Sequence, residues 1–235
     1  VEEIADRDIP AYGAFIGRLR TALRADEPDA TVTVATGAGR QGAALALAAT
    51  VAGADRIFLM GYDYRTARSD PGGSAPLARR DGGERTLTWS LDMYLGLGIP
   101  AERTILGLPL YGLAWPTDDD AVGAAATGRG DIWVPRRNIA ALRDPTATSG
   151  FDAIEDVAFL AVPDGDLWQA IYYDTPESLM PKLALANERA LAGAGFWALG
   201  YERGLPAYTS LIGDFRAGRS MARGGAFSSA APAAP

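Results

Sequence analysis

The ten residues DRIFLMGYDY, at positions 55–64, decide the fold of this chain. The letters IFLM form a short, continuous apolar run, which is typical of a strand buried on both faces in a parallel sheet covered by helices. In closed folds of this class the functional site forms at the carboxyl ends of the strands. The stretch therefore predicts an α/β fold. It places four side chains at the functional edge of the sheet: Met60, Tyr62, Asp63 and Tyr64.

The same pattern of a strand followed by a helix recurs on both sides of this stretch. Upstream, TVTVAT from Thr31 predicts a strand, and the Ala-rich residues 41–51 predict a helix. Downstream, RTILGLPL from Arg103 and AGFWAL from Ala194 predict two more strands. Apolar residues at three- and four-residue spacing predict further helices around Ile16, Leu91, Leu183 and Leu211. This alternation predicts a parallel sheet flanked by helices.

The number of predicted strands is small for a closed barrel of such units. A (β/α)8 TIM barrel has eight strands and typically about 250 residues, and its first element is a strand. Here four strands are predicted, and the helix that begins near Asp8 has no strand before it. We therefore expect about the last four βα units of an N-terminally truncated TIM barrel. Because an open half barrel exposes edge strands and a core face, we expect this polypeptide alone to be poorly folded and inactive.

The region between the third and fourth predicted strands, at about 116–175, is too long for a plain loop. It contains a predicted hairpin, in which VAFLAV and LWQAIYY flank the turn PDGD at 163–166. We expect a small α+β insertion there. Residues 218–235 are mostly Gly, Ala, Ser, Arg and Pro, a composition that does not bury a core, so we interpret them as a tail or linker after a domain at 1–217.

The composition excludes several kinds of chemistry. The chain of 235 residues has no His and no Cys, which excludes Ser-His-Asp and Cys-His catalysis, imidazole and thiolate metal sites, and disulfides. A net charge of −7 provides no basic field, so neither nucleic acid nor an anionic membrane is an expected partner. Catalysis must then use carboxylates, Tyr, Arg, Ser, Thr or the only lysine, Lys182.

Aromatic residues and carboxylates follow three of the predicted strands. Besides residues 60–64, Tyr111 and Trp115 lie at the end of the third strand, and Trp197, Tyr201 and Glu202 lie at the end of the fourth. The C–H faces of a sugar stack on aromatic rings, while its hydroxyl and amide groups need fixed polar partners. At one strand end, core packing would explain the aromatics equally well. Three strand ends together favour a carbohydrate site.

Three motifs in this order resemble glycoside hydrolase family 18. MGYDY after IFL resembles the family's MxYD on its sixth strand, ILGLPLYG resembles LGxPxYG on the seventh, and GFWALGYE resembles GxxxWxLxxD/E on the eighth. The family often carries a small α+β lobe after the seventh strand, where this chain has its predicted insertion. The likeness extends from Val1 to about Phe215.

The resemblance also suggests a general acid. The family's DGxDxDxE motif ends in a catalytic Glu, and a Y..F pattern follows it, as Tyr12 and Phe15 follow Glu2 here. Glu3 fits this spacing less well, because Val1 would then stand where the motif has Asp. The alternative for Glu2 is a solvated residue in the first turn of a helix, where the helix dipole favours a negative charge.

The family hydrolyses N-acetylglucosamine polymers by a retaining mechanism in which the substrate's own acetamido oxygen is the nucleophile. The resemblance implies that Glu2 is the acid and then the base, that Tyr62 binds the acetamido group, and that Asp63 helps to hold it. It implies a substrate-binding set of Met60 as a wall, Tyr111 in the same subsite, Trp115 stacking a sugar further along, and Trp197 beneath the ring. Leu113 stands where the family frequently has Arg, which removes one expected subsite contact.

The resemblance further implies a polysaccharide or oligosaccharide substrate, no metal or organic cofactor, a monomer when complete, and a secreted or cell-envelope location of bacterial type. It leaves chitin and peptidoglycan open as substrates. Two rival interpretations remain: a non-catalytic lectin-like homologue that binds N-acetylglucosamine, and an unrelated barrel enzyme with Lys182 as a Schiff-base nucleophile. The helical pattern after Pro181 favours an ordinary solvated helix lysine over the second rival.

Overall fold

The computed structural model describes residues 4–216, which form two β-sheets and the helices that cover one of them. The helices are α1 (Ile9–Asp26), α2 (Arg40–Val51), α3 (Leu87–Gly96), α4 (Pro176–Glu188) and α5 (Pro206–Arg216). The strands are β1 (Thr33–Gly37), β2 (Arg56–Met60), β3 (Thr104–Pro109), β4 (Gly112–Thr117), β5 (Asp131–Trp133), β6 (Thr148–Asp152), β7 (Val157–Asp164), β8 (Leu167–Tyr173) and β9 (Gly193–Trp197). Within residues 4–216 no helix is both long and apolar enough to cross a lipid bilayer.

Four strands form a parallel sheet in the order β1-β2-β3-β9, which confirms the predicted α/β class. Met60 pairs with Gly37 on one side and Gly107 on the other, and Trp197 pairs with Pro109. This register brings the carboxyl ends of the four strands to one edge. The sheet is open: the closed barrel is not found within residues 4–216, where β1 and β9 each have a single neighbour.

The two faces of the parallel sheet differ in what covers them. Ile57 and Leu59 of β2 are buried in the main core beneath the helices, while Phe58 and Met60 point to the opposite face. The Phe58 ring lies across the neighbouring strands, because a Cβ added to Gly107 would come within 2.4 Å of it and one added to Gly195 within 2.5 Å. Glycine is therefore required at both positions by the close approach of one aromatic ring.

The insertion is an antiparallel sheet in the order β5-β4-β8-β7-β6, called here the lobe. The predicted hairpin is confirmed, since β7 and β8 pair from Ala158 with Tyr173 to Asp164 with Leu167, around the turn at 165–166. Two details of the prediction were wrong. The lobe begins at Gly112 rather than near 116, and it is built from strands and short 3₁₀ turns rather than from α and β elements.

The reason lies at residues 110–112, where the chain passes from one sheet to the other. Gly112 pairs with Trp133 on one side and Tyr173 on the other, and a Cβ on it would lie 2.2 Å from the carbonyl oxygen of Tyr172. Only glycine permits that close strand pairing. The chain that follows the predicted strand RTILGLPL is therefore not a plain connection, since Gly112–Thr117 forms the strand β4, which contains Trp115.

Buried ion pairs join the lobe to the loop at 61–86, which follows β2. Arg65 donates to Glu155 at 2.7 Å, and both side chains are almost completely buried. The second carboxylate oxygen of Glu155 accepts the backbone N–H of Gly73 at 2.7 Å. Arg80 donates through two nitrogens to Asp152, at 2.7 and 3.2 Å. The lobe thus fixes the loop that carries part of the candidate site.

Candidate functional site

A cavity of about 190 Å³ opens at the carboxyl ends of β1 and β2. Its walls come from the turn after β1, from the end of β2 and from the residue before Thr86, the N-cap of α3. The lining residues are Gly37, Ala38, Gly39, Met60, Tyr62, Asp63, Tyr64 and Arg85. The cavity therefore collects the residues that the sequence places at the end of β2.

Helix α3 holds the cavity walls in place. The hydroxyl of Tyr64 donates to Ser90 Oγ at 2.6 Å, and Ser90 Oγ donates to the carbonyl oxygen of Ala38 at 2.7 Å. Burial raises the pKa of Tyr64 above its usual value, so this phenol stays a neutral donor. The turn after β1 and the end of β2 are thereby connected through one serine.

Asp63 is held in an unusual backbone conformation. Its φ is 61°, in the left-handed region that few non-glycine residues adopt, although Asp tolerates it better than most. The backbone N–H of Asp63 donates to Ser74 Oγ at 3.1 Å, and the next N–H, of Tyr64, donates to the carbonyl oxygen of Ser74 at 3.0 Å. The buried Ser74 thus stabilises the turn that presents the carboxylate.

Tyr111 lies at the crossing between the two sheets and reaches this carboxylate. Its buried hydroxyl donates to Asp63 Oδ1 at 2.5 Å. Its ring meets Tyr62 edge to face, with centroids 6.1 Å apart. Burial first, and the negative charge of Asp63 second, raise the pKa of Tyr111 well above its usual value. Tyr111 therefore remains protonated and acts as a hydrogen-bond donor.

Trp197, the last residue of β9, stands at the same edge of the sheet with 55% of its surface exposed. Its carbonyl oxygen accepts the N–H of Leu110 at 2.7 Å, and the peptide bond to Ala198 is cis. Only β3 separates β2 from β9, so these two strands run about 10 Å apart. Trp197 therefore offers an open aromatic face beside the cavity that contains Met60 and Tyr62.

Two predicted roles are wrong, and one lies outside the described residues. Trp115 has no exposed surface, because β4 is paired on both sides and the indole packs inside the lobe, so it has no open face for a sugar. Lys182 is not solvated, because α4 turns it inward, where its ammonium donates to the buried carboxylate of Asp174. Glu2, the predicted acid, lies outside residues 4–216, as does the predicted tail at 218–235.

Sequence reasoning missed two residues of this site. Ser74 falls in a stretch of Gly, Pro and Ser that has the composition of a plain loop, and its partners lie 11 and 37 positions away. Arg85 precedes a helix and looks like a solvated charge. The length of the connection between β2 and α3 is the only sequence feature that could have indicated a role for Ser74. No feature of the sequence indicated that Arg85 lies at the site.

Within residues 4–216, no three carboxylates come close enough to hold a metal ion. The polar groups at the site are instead one carboxylate, several phenols, a serine hydroxyl and a guanidinium. The carboxylate, the phenols and the serine hydroxyl can donate and accept hydrogen bonds around a neutral, oxygen-rich ligand, while Met60 and Trp197 provide apolar contact.

Comparisons with known proteins identify the family of this chain. The family described as Glycosyl hydrolases family 18 matches residues 2–202. Chitotriosidase-1 of Mus musculus is 29% identical over 156 residues, 62% of this chain and 33% of that protein. Class V chitinase CHIT5 of Lotus japonicus is 30% identical over 151 residues, 61% of this chain and 37% of that protein. The chain thus spans about a third of the length of these relatives.

A solved structure shows the same fold. A chitinase from Cycas revoluta, crystallised in complex with (GlcNAc)3, superposes with a TM-score of 0.70 at 22% sequence identity. The match covers 88% of this chain and 62% of that chain. At this level of identity the likeness establishes the arrangement of helices and strands.

Proposed function

The chain belongs to glycosyl hydrolases family 18, and from this premise we propose that it hydrolyses β-1,4 glycosidic bonds in polysaccharides that contain N-acetylglucosamine. The proposed reaction is retaining and substrate-assisted, with the acetamido oxygen of the substrate as the nucleophile. The proposal names the whole protein's activity, since this chain spans only part of the length of its relatives.

One observation supports this function best: Tyr62, Asp63 and Tyr111 form a single cluster beside a cavity. Asp63 accepts the Tyr111 hydroxyl at 2.5 Å, and Tyr111 contacts the edge of Tyr62. An acetamido group has a carbonyl acceptor, an N–H donor and a methyl group, so it needs a phenol, a carboxylate and an apolar wall. The cluster offers these, with Met60 as the wall.

In the proposed reaction these residues position the acetamido group beneath the anomeric carbon. Asp63 accepts the amide N–H and so increases the electron density on the carbonyl oxygen, which attacks the anomeric carbon. Tyr62 donates to that acetamido group, and Trp197 supports the sugar ring from below. Glu2 protonates the leaving glycosidic oxygen and, as a carboxylate, then activates the water that opens the cyclic intermediate.

The proposal is tested by Glu2→Gln in the full-length protein, with Glu3→Gln as the matched control. We expect Glu2→Gln to lower kcat on a neutral N-acetylglucosamine oligomer by at least about a hundredfold, because a positioned acid contributes this much or more. Glu3→Gln should change it little. Proton NMR of the first product should show the β-anomer, as retention of a β-linkage requires.

Binding measurements separate the hydrolase from a lectin-like protein. If the unmodified protein binds the oligomer and never cleaves it, the lectin alternative replaces the proposed function. If Glu2→Gln cleaves at the original rate, the assignment of the acid is wrong. Calorimetric titration with the same oligomer measures binding independently of cleavage and so distinguishes these outcomes.

A further inference from the structure

Arg85 shares the cavity with the residues proposed to bind the acetamido group. It lines the same cavity as Met60, Tyr62 and Asp63. Its Nη2 lies 3.6 Å from the point where a Cβ on Gly39 would stand, so the guanidinium extends across the cavity toward the turn after β1. Arg85 is exposed, so its charge lies at the open rim of the site, where a ligand can reach it.

Within residues 4–216, the charge of Arg85 has no acidic partner, unlike the charges of Arg65, Arg79 and Arg80 in the same loop. Arg65 is paired with Glu155, Arg79 with Asp81 and Arg80 with Asp152. By contrast, within residues 4–216 Arg85 makes neither a salt bridge nor a side-chain hydrogen bond. Three guanidinium groups of the loop thus have a structural role. Within residues 4–216, Arg68 and Arg85 have no acidic partner, and of these two it is Arg85 that lines the cavity beside Tyr62.

The acid that shares the cavity does not neutralise Arg85. Asp63 lies along the same cavity wall, yet no ion pair within 4 Å joins it to Arg85, and one of its oxygens is already bound by Tyr111. Glu84, the adjacent residue in the chain, is exposed and forms no ion pair with any residue of 4–216. Within residues 4–216, the cavity lining therefore contains an acidic group that is bound by Tyr111 and a cationic group that has no ion-pair partner.

We propose that Arg85 binds a carboxylate carried by the substrate, which makes acidic N-acetylglucosamine polymers, such as the glycan strands of peptidoglycan, better substrates than neutral chitin. A guanidinium presents its donors in a planar fork that matches a carboxylate, whereas a neutral sugar needs no cation. This inference rests on the proposed function, because it assumes that a sugar occupies the cavity beside Tyr62.

The test compares two oligomers of equal length in the full-length protein. One contains only N-acetylglucosamine, and the other alternates it with N-acetylmuramic acid, which carries a carboxylate. The variants are Arg85→Ala, Arg85→Lys and, as a matched loss of one positive charge, Arg103→Ala. Arg103 is exposed at the opposite, amino end of β3, so it controls for the general electrostatic attraction of an anionic substrate.

We expect Arg85→Ala to lower kcat/KM on the acidic oligomer by about tenfold or more, as the loss of a charged hydrogen bond would. On the neutral oligomer the change should stay within about twofold. The kcat/KM of Arg85→Lys on the acidic oligomer should lie between those of the wild type and Arg85→Ala, because an ammonium group keeps the charge but lacks the planar pair of donors of a guanidinium. Arg103→Ala should leave the preference for the acidic oligomer unchanged.

Equal losses on both oligomers, or no loss on either, would overturn the inference, and so would an equal loss with Arg103→Ala. The dissociation constants of both oligomers, measured by calorimetry, supply a readout that needs no turnover. If the unmodified protein cleaves neither oligomer, the proposed function fails, while the effect of Arg85→Ala on binding still decides the role of Arg85.

Discussion

Two tryptophans that follow strands of the parallel sheet have opposite environments. Trp197 ends β9 with 55% of its surface exposed, whereas Trp115, six residues after the end of β3, has none. In the sequence both stand in an aromatic run after an apolar strand. In this molecule the tryptophan whose strand is paired on both sides is buried, and the one whose strand has a single neighbour within residues 4–216 is exposed.

The lobe explains the burial of Trp115. Its strand is paired with β5 and β8, and its ring packs edge to face on Tyr172, with centroids 6.1 Å apart. Trp197 belongs to a strand with one neighbour in the described part of the chain. Substitutions of the two tryptophans should therefore affect different properties. A substitution of Trp115 should affect the stability of the lobe, and a substitution of Trp197 should affect the affinity of the site for its ligand.

The largest effect is expected for Trp115→Ala. Removing a fully buried indole should lower the free energy of unfolding by about 3–5 kcal/mol. Trp115→Phe should lose clearly less, because it keeps an aromatic ring and the buried Nε1 has no hydrogen-bond partner to lose within residues 4–216. Chemical denaturation of both variants checks this, and equal losses would contradict the packing described here.

A smaller effect on the free energy of unfolding is expected for Tyr111→Phe, since Tyr111 lies where the chain passes from the parallel sheet to the lobe. Loss of the hydrogen bond to the Asp63 carboxylate should lower stability by about 1.5 kcal/mol at pH 8. Because folding raises the pKa of Tyr111, its stabilising contribution is complete below the unfolded value of about 10 and declines as the pH rises above it. The difference in unfolding free energy between wild type and Tyr111→Phe should therefore shrink above about pH 10. A difference that grows there would refute this explanation.

The smallest effect on stability, within about 1 kcal/mol, is expected for Trp197→Ala, since the ring is half exposed. Its effect should appear instead in the affinity for an N-acetylglucosamine oligomer, with a dissociation constant about tenfold higher through loss of the stacking surface. Calorimetry alongside denaturation measures both quantities. The comparison breaks down if Trp197→Ala unfolds the protein as readily as Trp115→Ala.

Much of the fold was predictable because strands and helices leave local patterns. The apolar run at 56–60, the Ala-rich helix at 40–51 and the hairpin at 157–173 all lie close to their predicted positions. The strand pairs of the lobe other than the hairpin were not predicted. Strands such as Thr148–Asp152 are short and polar, and what defines them is their pairing with distant residues.

For the candidate site, the positions of residues next to a strand were predictable, and their distant partners were not. Tyr62 and Asp63 follow a strand directly, so their place at the sheet edge follows from the sequence. The bond from Tyr111 to Asp63 joins residues 48 positions apart, and Arg65 meets Glu155 across 90 positions. No local pattern encodes such partners.

The sequence by itself determined which segments are strands and helices, and hence the edge of the sheet at which the functional side chains collect, because backbone periodicity is a property of neighbouring residues. The tertiary structure alone decided which of those side chains remain accessible. It buried Trp115 and Lys182, left Trp197 exposed, and gave Arg85 no ion-pair partner within residues 4–216. Burial and charge pairing depend on what packs against a side chain from elsewhere in the chain, and only the folded arrangement specifies that.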